Sequence, residues 1–289
     1  MIEKYKINRL TEKIIEIIFG FAAVMCIVAV VIICFFLFRS GIPAIGKIGL
    51  SEFLFGMKWK PGNELFGIFP MIVGSIIVTG LSVLLGVPIG ILSAVFMVFY
   101  CPIGMYRLIK PIMNLLAGIP SIVYGFFGLV VLVPIMQELF GNGGKSLMTA
   151  SLLLGIMILP TVISVTESSL RAVPSSYYEG ALALGASHER SIFKTVLPAA
   201  KSGVMAGVIL GVGRSIGETM AVSMVAGNQP VIPENIFSGV RTLTANIVLE
   251  MGYAADLHRE ALIATAVVLF AFILVINLCF SIIKRRKVR

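Results

Sequence analysis

Six long apolar runs, separated by short polar segments, dominate the pattern of this chain. They cover residues 14–38, 68–99, 112–136, 147–165, 203–226 and 261–283. A helix of about 20 apolar residues spans roughly 30 Å of hydrocarbon, and each run is long enough to do so. The pattern therefore predicts an all-α integral membrane protein with six transmembrane helices.

The composition agrees with a membrane protein. Hydrophobic residues make up 58% of the chain, charged residues only 13%, and the mean hydropathy is +1.03. The four cysteines lie in or beside apolar runs without paired spacing, so we expect neither a disulfide framework nor a metal site. The first run is too long for a cleaved signal peptide and has no small-residue cleavage site after it.

A net charge of +9 raises the possibility of a nucleic-acid partner, but the distribution of the charges speaks against one. With both termini inside, fifteen Lys and Arg residues lie on the inner side and seven on the outer side. This bias is the positive-inside rule, and it predicts that both termini are cytoplasmic. The basic C-terminal segment KRRKVR then faces the lipid bilayer as an anchor.

The run at 203–226 carries two full charges at membrane depth. A helical wheel places small residues and both charges within roughly a quarter of the circumference, namely Gly203, Gly207, Gly211, Arg214, Glu218 and Ala221. A charge this deep, roughly 20 Å from either end of the helix, costs about 2.5–3.5 kcal/mol and is a functional candidate. We expect Arg214, Glu218 and the adjoining Thr219 to lie on a substrate pathway. An internal Arg–Glu ion pair that only holds helices together is the alternative.

Four shorter segments are less specific. Residues 100–110 are expected to be a short inner loop, and Pro120 is expected to kink or break the start of the third helix, whether to line a path or only for packing. Residues 141–146, GNGGKS, lack the first glycine and the preceding strand of a nucleotide-binding loop, so they indicate an outer turn. Trp59, in the outer segment at 39–67, is expected at the membrane interface.

The longest inner loop, about residues 167–201, is helix-compatible but too polar to span. Pro174 and two serines mark a helix start, and Gly185 separates two amphipathic segments. The segment could lie on lipid, form an ordinary loop, or insert into a groove on a cytoplasmic partner.

The residues of this loop resemble the EAA loop of ABC importer permeases. Glu179-Gly180-Ala181 is followed after three residues by Gly185, and after nine more by Thr195-x-Leu197-Pro198. Gly180 and Thr195 depart from the family pattern, which has Ala and Ile there. The resemblance implies that Glu179, Gly180, Ala181, Gly185, Leu197 and Pro198 belong to a helix that docks on an ATPase subunit.

Four segments together resemble PstC-type phosphate permeases. They are LAGIPSIVYGF at 116–126, IMILPTV at 156–162, VPSSYYEGALALGA at 173–186 and GRSIGETMAV at 213–222. The resemblance implies a type I ABC importer permease with a MetI-like core at 68–289. Residues 1–67 are then a cytoplasmic lead, a first transmembrane helix and an outer amphipathic segment.

The implied function is that of a non-enzymatic permease subunit, half of an ATP-driven phosphate importer. The implied partners are a PstA-type permease subunit, two PstB-type ATPase subunits that bind ATP-Mg, and a PstS-type phosphate-binding protein. The implied location is a bacterial or archaeal cytoplasmic membrane. The alternatives are a permease for molybdate or sulfate, an ATP-independent secondary transporter or channel, and a membrane scaffold or receptor.

Overall fold

The computed structural model describes residues 2–141 and 143–286. Asn142, in the predicted outer turn, and the last three residues of the basic C-terminal segment lie outside this part. The N-terminal third begins with α1 (Ile2–Ile48), α2 (Leu50–Phe55), strand β1 (Trp59–Lys60), a 3₁₀ turn (Pro61–Asn63) and strand β2 (Leu65–Phe66). The two strands form an antiparallel hairpin that pairs Trp59 with Phe66.

The middle of the chain is helical, with two interruptions. Its elements are α3 (Phe69–Val95), a π-helical turn (Phe96–Tyr100), α4 (Ile103–Gly118), α5 (Ser121–Phe127), a π-helical turn (Gly128–Leu132) and α6 (Val133–Phe140). The helix breaks at Ile119–Pro120, where Ile119 is extended and Pro120 precedes the first residue of α5. Proline has no N–H to donate to the preceding turn, so a new helix starts here.

The rest of the chain contains two long helices and several short ones. Its elements are α7 (Leu147–Arg171), α8 (Ser175–Ala183), α9 (His188–Ser191), a π-helical turn (Ile192–Val196), α10 (Leu197–Ala199), α11 (Lys201–Gly217), α12 (Met220–Val225), α13 (Leu243–Met251) and α14 (Asp256–Arg286).

The centre of the structure is the packing of α3, α7 and α11 against one another. Small residues make the close approach possible: a Cβ at Gly86 of α3 would collide with the carbonyl oxygen of Gly155 in α7. Membrane helices associate through such contacts because lipid is as apolar as their side chains. Most of α7 is buried, and it is the helix on which the others are arranged.

Within the described residues, five helices are long and apolar enough to span a membrane: Thr11–Ile48, Phe69–Phe99, Ser121–Phe140, Leu147–Arg171 and Asp256–Cys279. A sixth span is made if the segments His188–Ala199 and Lys201–Gly217, which meet at a 72° bend, are counted together. The predicted all-helical membrane fold is confirmed, and the bent pair overlaps the fifth of the six predicted spans, 203–226.

Two local predictions are wrong. Most of the expected inner loop at 100–110 is the first half of α4, whose polar and apolar residues lie on opposite sides. The first membrane helix does not end near residue 38 but continues through Pro43 to Ile48. In both places a charged residue follows or divides an apolar run, and the helix continues through it.

The side chain of Trp59, which is predicted at the membrane interface, is buried within the protein. Its indole Nε1 donates to Glu250 Oε2 at 2.8 Å, and the same carboxylate accepts from Arg241 at 2.6 Å. His258 Nε2 lies 2.8 Å from Glu250 Oε2. The hairpin is thus tied to α13 and α14 by a buried carboxylate.

Candidate functional site

The segment with Arg214 and Glu218 is a helix that stops inside its apolar run. The 17-residue α11 ends at Gly217, Glu218 is extended, and the six-residue α12 starts at Met220. The Thr244 hydroxyl, 26 residues further along the chain, donates to the Glu218 carbonyl at 3.0 Å. A backbone break at membrane depth persists only where its polar groups find such partners.

The small-residue face of α11 packs against α7. Added Cβ atoms at Gly203, Gly207 and Gly211 would meet Ser169, the Val165–Thr166 pair and Val162 in turn. The two helices therefore run past each other in close contact, and the next residue on this face is Arg214. The predicted clustering of Gly203, Gly207, Gly211 and Arg214 on one face holds in the structure.

Arg214 is half-buried and lies next to α7. Its Nη1 donates to Thr161 Oγ1 at 3.4 Å, a long hydrogen bond. Its charge also reaches the buried Tyr124 phenol of α5, which donates to the Leu116 carbonyl at 2.8 Å. Among the residues that the structure describes, no carboxylate forms an ion pair with Arg214.

Glu218 does not pair with Arg214, which corrects the expectation that both lie one turn apart on a single helical face. The helix has already ended, and Glu218 Oε1 instead accepts from the backbone N–H groups of Thr219 and Ala221, at 3.1 and 3.2 Å. These are donors of the first turn of α12, so the carboxylate acts as a local cap. The interpretation of Arg214–Glu218 as a structural ion pair is therefore wrong.

Thr219 and the half-helix that follows the break after α4 both lie beside the break between α11 and α12. Thr219 Oγ1 donates to the Gly217 carbonyl at 3.1 Å, so the hydroxyl satisfies the end of α11. The half-helix α5, which follows the Pro120 break, packs on α12 so closely that a Cβ at Gly125 would collide with Ala221 and Met224. Two broken helices thus meet beside Arg214.

The residues predicted to dock on an ATPase lie in the helix–turn–helix that follows the C-terminal end of α7, here called the coupling segment (α8 to α10). Gly185 has a φ of +82° and ends α8, with its N–H bonded to the Leu182 carbonyl and the Ala186 N–H bonded to the Ala181 carbonyl. This is a Schellman turn, which favours glycine. Space is open around a Cβ at Gly185, so its backbone conformation, and not a close neighbour within the chain, requires glycine.

The coupling segment exposes both polar and apolar side chains. Glu179, Gly180 and Pro198 are exposed, and Ala181 and Leu197 are partly buried. Leu184, at the turn, is 91% exposed. Tyr177, Leu182 and Phe193 are exposed as well, so the apolar exposure of this segment is not confined to one side chain.

Sequence reasoning missed a buried carboxylate beside this segment. Glu167 in α7 accepts from Tyr106 at 2.6 Å, from Lys110 at 2.7 Å and from Arg171 at 3.0 Å. It ties α4 to the end of α7, directly before the coupling segment. The sequence signal for this contact was the polar stretch at 106–110, which was predicted to lie in a loop. Thr161 was missed because a threonine in an apolar run is unremarkable.

No group of His, Cys, Asp or Glu side chains within residues 2–141 and 143–286 is arranged to hold a metal ion.

Comparison with known proteins gives one family match and several relatives of similar length. The family model described as binding-protein-dependent transport system inner membrane component matches residues 86–289. The probable ABC transporter permease protein YqgH of Bacillus subtilis is 40% identical over 92% of this chain and 89% of its own length. The phosphate transport system permease protein PstC of Mesorhizobium japonicum is 35% identical over 90% and 86%, and that of Pasteurella multocida 34% over 91% and 89%.

Solved structures share the fold at lower identity. A chain of the inward-facing MetNI methionine ABC transporter superposes with a TM-score of 0.63 at 20% identity, covering 80% of this chain and all of that one. A chain of a bacterial alginate ABC transporter, in complex with an alginate-bound periplasmic protein, superposes with a TM-score of 0.61 at 17% identity, covering 91% and 93%.

The separation of Arg214 from Glu218 predicts additive effects on stability. In a double-mutant cycle of Arg214→Met and Glu218→Leu, the effects should add within about 0.5 kcal/mol, because the two side chains share no contact. Glu218→Leu alone should cost about 0.5–2 kcal/mol through loss of the cap. Glu218→Gln, which keeps an accepting oxygen, is the matched control. Unfolding of the purified protein in detergent measures these changes. A coupling energy of about 3 kcal/mol or more between the two positions would instead indicate that Arg214 and Glu218 form an ion pair.

Proposed function

The chain belongs to the family of binding-protein-dependent transport system inner membrane components, and from this membership we propose that it forms half of the pathway of an ATP-driven importer of inorganic phosphate. The PstC relatives support phosphate as the substrate, since they match over most of the chain. Within the chain, residues 213–222, GRSIGETMAV, carry the side chains that the proposal assigns to the anion pathway.

The observation that carries the proposal is a cation at membrane depth without a carboxylate partner among the described residues. Arg214 sits at the end of α11, and the nearest acidic residue in sequence, Glu218, is occupied with capping α12. An arginine in hydrocarbon without compensation is costly, so such residues face a cavity or a partner. A passing anion supplies the compensation.

Arginine suits phosphate for a geometric reason. Its planar guanidinium offers several N–H donors that match the oxygens of an oxyanion. A single Arg offsets part of the cost of dehydrating phosphate without holding it, and conduction requires release as well as entry. The neighbouring carboxylate of Glu218 lowers the local attraction for anions, and the uncharged hydroxyl of Thr219 completes the proposed pathway.

The coupling segment is proposed to dock on the ATPase. Its exposed Leu184, held at a rigid Schellman turn, gives an apolar contact for a groove on a cytoplasmic subunit. We propose two PstB-type ATPases that bind ATP-Mg, a PstA-type subunit completing the pore, and a PstS-type protein delivering phosphate from outside. ATP hydrolysis then takes place on the PstB-type subunits, and this chain forms part of the path that phosphate takes.

The topology proposed for the cell places both termini and residues 167–201 in the cytoplasm of a bacterium or archaeon. The charge bias of the loops supports this orientation. We further propose that 68–289 is the permease core and 1–67 an appended region. The packing of α3 on α7 and α11 supports placing α3 in the core.

Transport by the reconstituted complex tests the substrate. Liposomes with this chain, the PstA-type subunit and the PstB-type ATPase, with ATP inside and loaded binding protein outside, should accumulate labelled phosphate only with ATP. Excess sulfate or molybdate should leave the rate nearly unchanged. Uptake of either of those anions in place of phosphate would select another oxyanion permease, and phosphate uptake without ATP would select a secondary transporter.

The coupling role has its own test at Gly185. A left-handed conformation costs a branched side chain roughly 1–2 kcal/mol, whereas asparagine tolerates it. Gly185→Val should therefore lower ATPase association or uptake per ATP hydrolysed, and Gly185→Asn should lower them less. Glu179→Lys, at an exposed position, should weaken the same association through reversed charge. Normal coupling in Gly185→Val and Glu179→Lys complexes would remove the docking role.

A further inference from the structure

The exposed positions of α7 differ in character from those of the other long helices. In the described structure, its only exposed residues are Ser164, Ser168 and Arg171, all polar. By contrast, α3 exposes large apolar residues, including Ile76, Leu84 and Leu92. A surface that faces lipid hydrocarbon is normally apolar, so the exposed strip of α7 is not shaped for lipid.

The two serines align with the threonine that contacts Arg214. Thr161, Ser164 and Ser168 stand at i, i+3 and i+7, within about a sixth of the helix circumference. Thr161 accepts from Arg214 at one end of this strip. The other two follow toward the coupling segment in steps of roughly 4.5 and 6 Å at 1.5 Å per residue.

A cavity lies at the far end of the strip. It has a volume of about 380 Å³ and lies between the end of α7 and the start of α11. Ser169 and Ala172 line it on one side, and Ser202 and Gly203 on the other. Ala172 continues the line of Ser164 and Ser168 by one further turn, and Lys201, which comes directly before the lining residue Ser202 in the chain, is exposed.

We propose that Thr161, Ser164 and Ser168, here called the hydroxyl track, form the inner half of the anion pathway, from Arg214 to the cytoplasmic cavity. This inference rests on the proposed function and adds residues to the same pathway. Hydroxyls donate hydrogen bonds to an oxyanion but carry no charge, so they replace part of its hydration without trapping it.

The hydroxyls are also compatible with an anion that comes and goes. Ser168 Oγ donates to the Ser164 carbonyl at 2.9 Å, a bond within its own helix turn. Such a bond satisfies the hydroxyl and can be exchanged by rotation of a single side-chain torsion. The track therefore needs no rearrangement of α7 to donate to a passing oxyanion.

Access by water tests the track independently of the substrate. In a chain with its four native cysteines replaced, Ser164→Cys and Ser168→Cys should react with an impermeant, negatively charged thiosulfonate added from the cytoplasmic side. Leu84→Cys, at an exposed apolar position of α3, is the control. The track cysteines should react at least about tenfold faster, since only the hydrated thiolate is reactive. Equal, slow reaction at all three positions, in the assembled complex, would mean lipid or a subunit covers the strip, and the proposal would fall.

A matched pair of variants tests whether the hydroxyl itself matters. Ser164→Thr and Ser164→Val have nearly the same shape and differ in one hydroxyl. Phosphate uptake by the Val complex should be about three- to tenfold slower than by the Thr complex, the range expected for one lost hydrogen bond. Equal uptake by the two complexes would overturn the role of Ser164. Failure of the wild-type complex to move phosphate would instead refute the proposed function, while reactive cysteines would still mark a water-filled path.

Discussion

A guanidinium held at membrane depth is the constraint on which this structure depends. Arg214 requires a compensating environment, and within residues 2–141 and 143–286 no carboxylate pairs with it, since the neighbouring Glu218 caps the backbone of α12. The break after Gly217 makes this separation possible. A continuous helix would have placed the carboxylate one turn from the arginine and neutralised it. In the proposed pathway, the broken helix leaves the positive charge available to an anion.

The two ends of the helix bundle are held by buried carboxylates. Glu250 joins the hairpin, α13 and α14 at one end, and Glu167 joins α4 to α7 at the other. Each carboxylate is bound by more than one donor, and removal of a partner from such a cluster is expected to be strongly destabilising. Between these fixed ends, the breaks in α11–α12 and α4–α5 leave short half-helices beside Arg214.

Much of this architecture was predictable from hydropathy alone, because apolar runs of spanning length leave few alternatives. The glycine face of α11 was predictable as well, since three glycines at a spacing of four residues favour close helix packing. The break at Glu218 was not, because Gly217 and Glu218 fit a helical wheel as well as their neighbours do. The break is stabilised in part by the distant Thr244, whose hydroxyl donates to the Glu218 carbonyl. Long-range partners of this kind leave no local signal.

The same reason explains the missed residues of the site. Thr161 and Glu167 acquire their meaning from Arg214 and Lys110, 53 and 57 residues away in the chain.

The most direct measurement of the central claim is phosphate uptake by a complex carrying both Arg214→Met and Glu218→Leu, with ATP hydrolysis measured in parallel. The account predicts a complex that inserts, assembles and hydrolyses ATP but moves little phosphate, with Arg214→Lys intermediate because it keeps the charge and loses the planar donors. Uptake near that of the wild type in the double variant would show that the anion does not depend on Arg214.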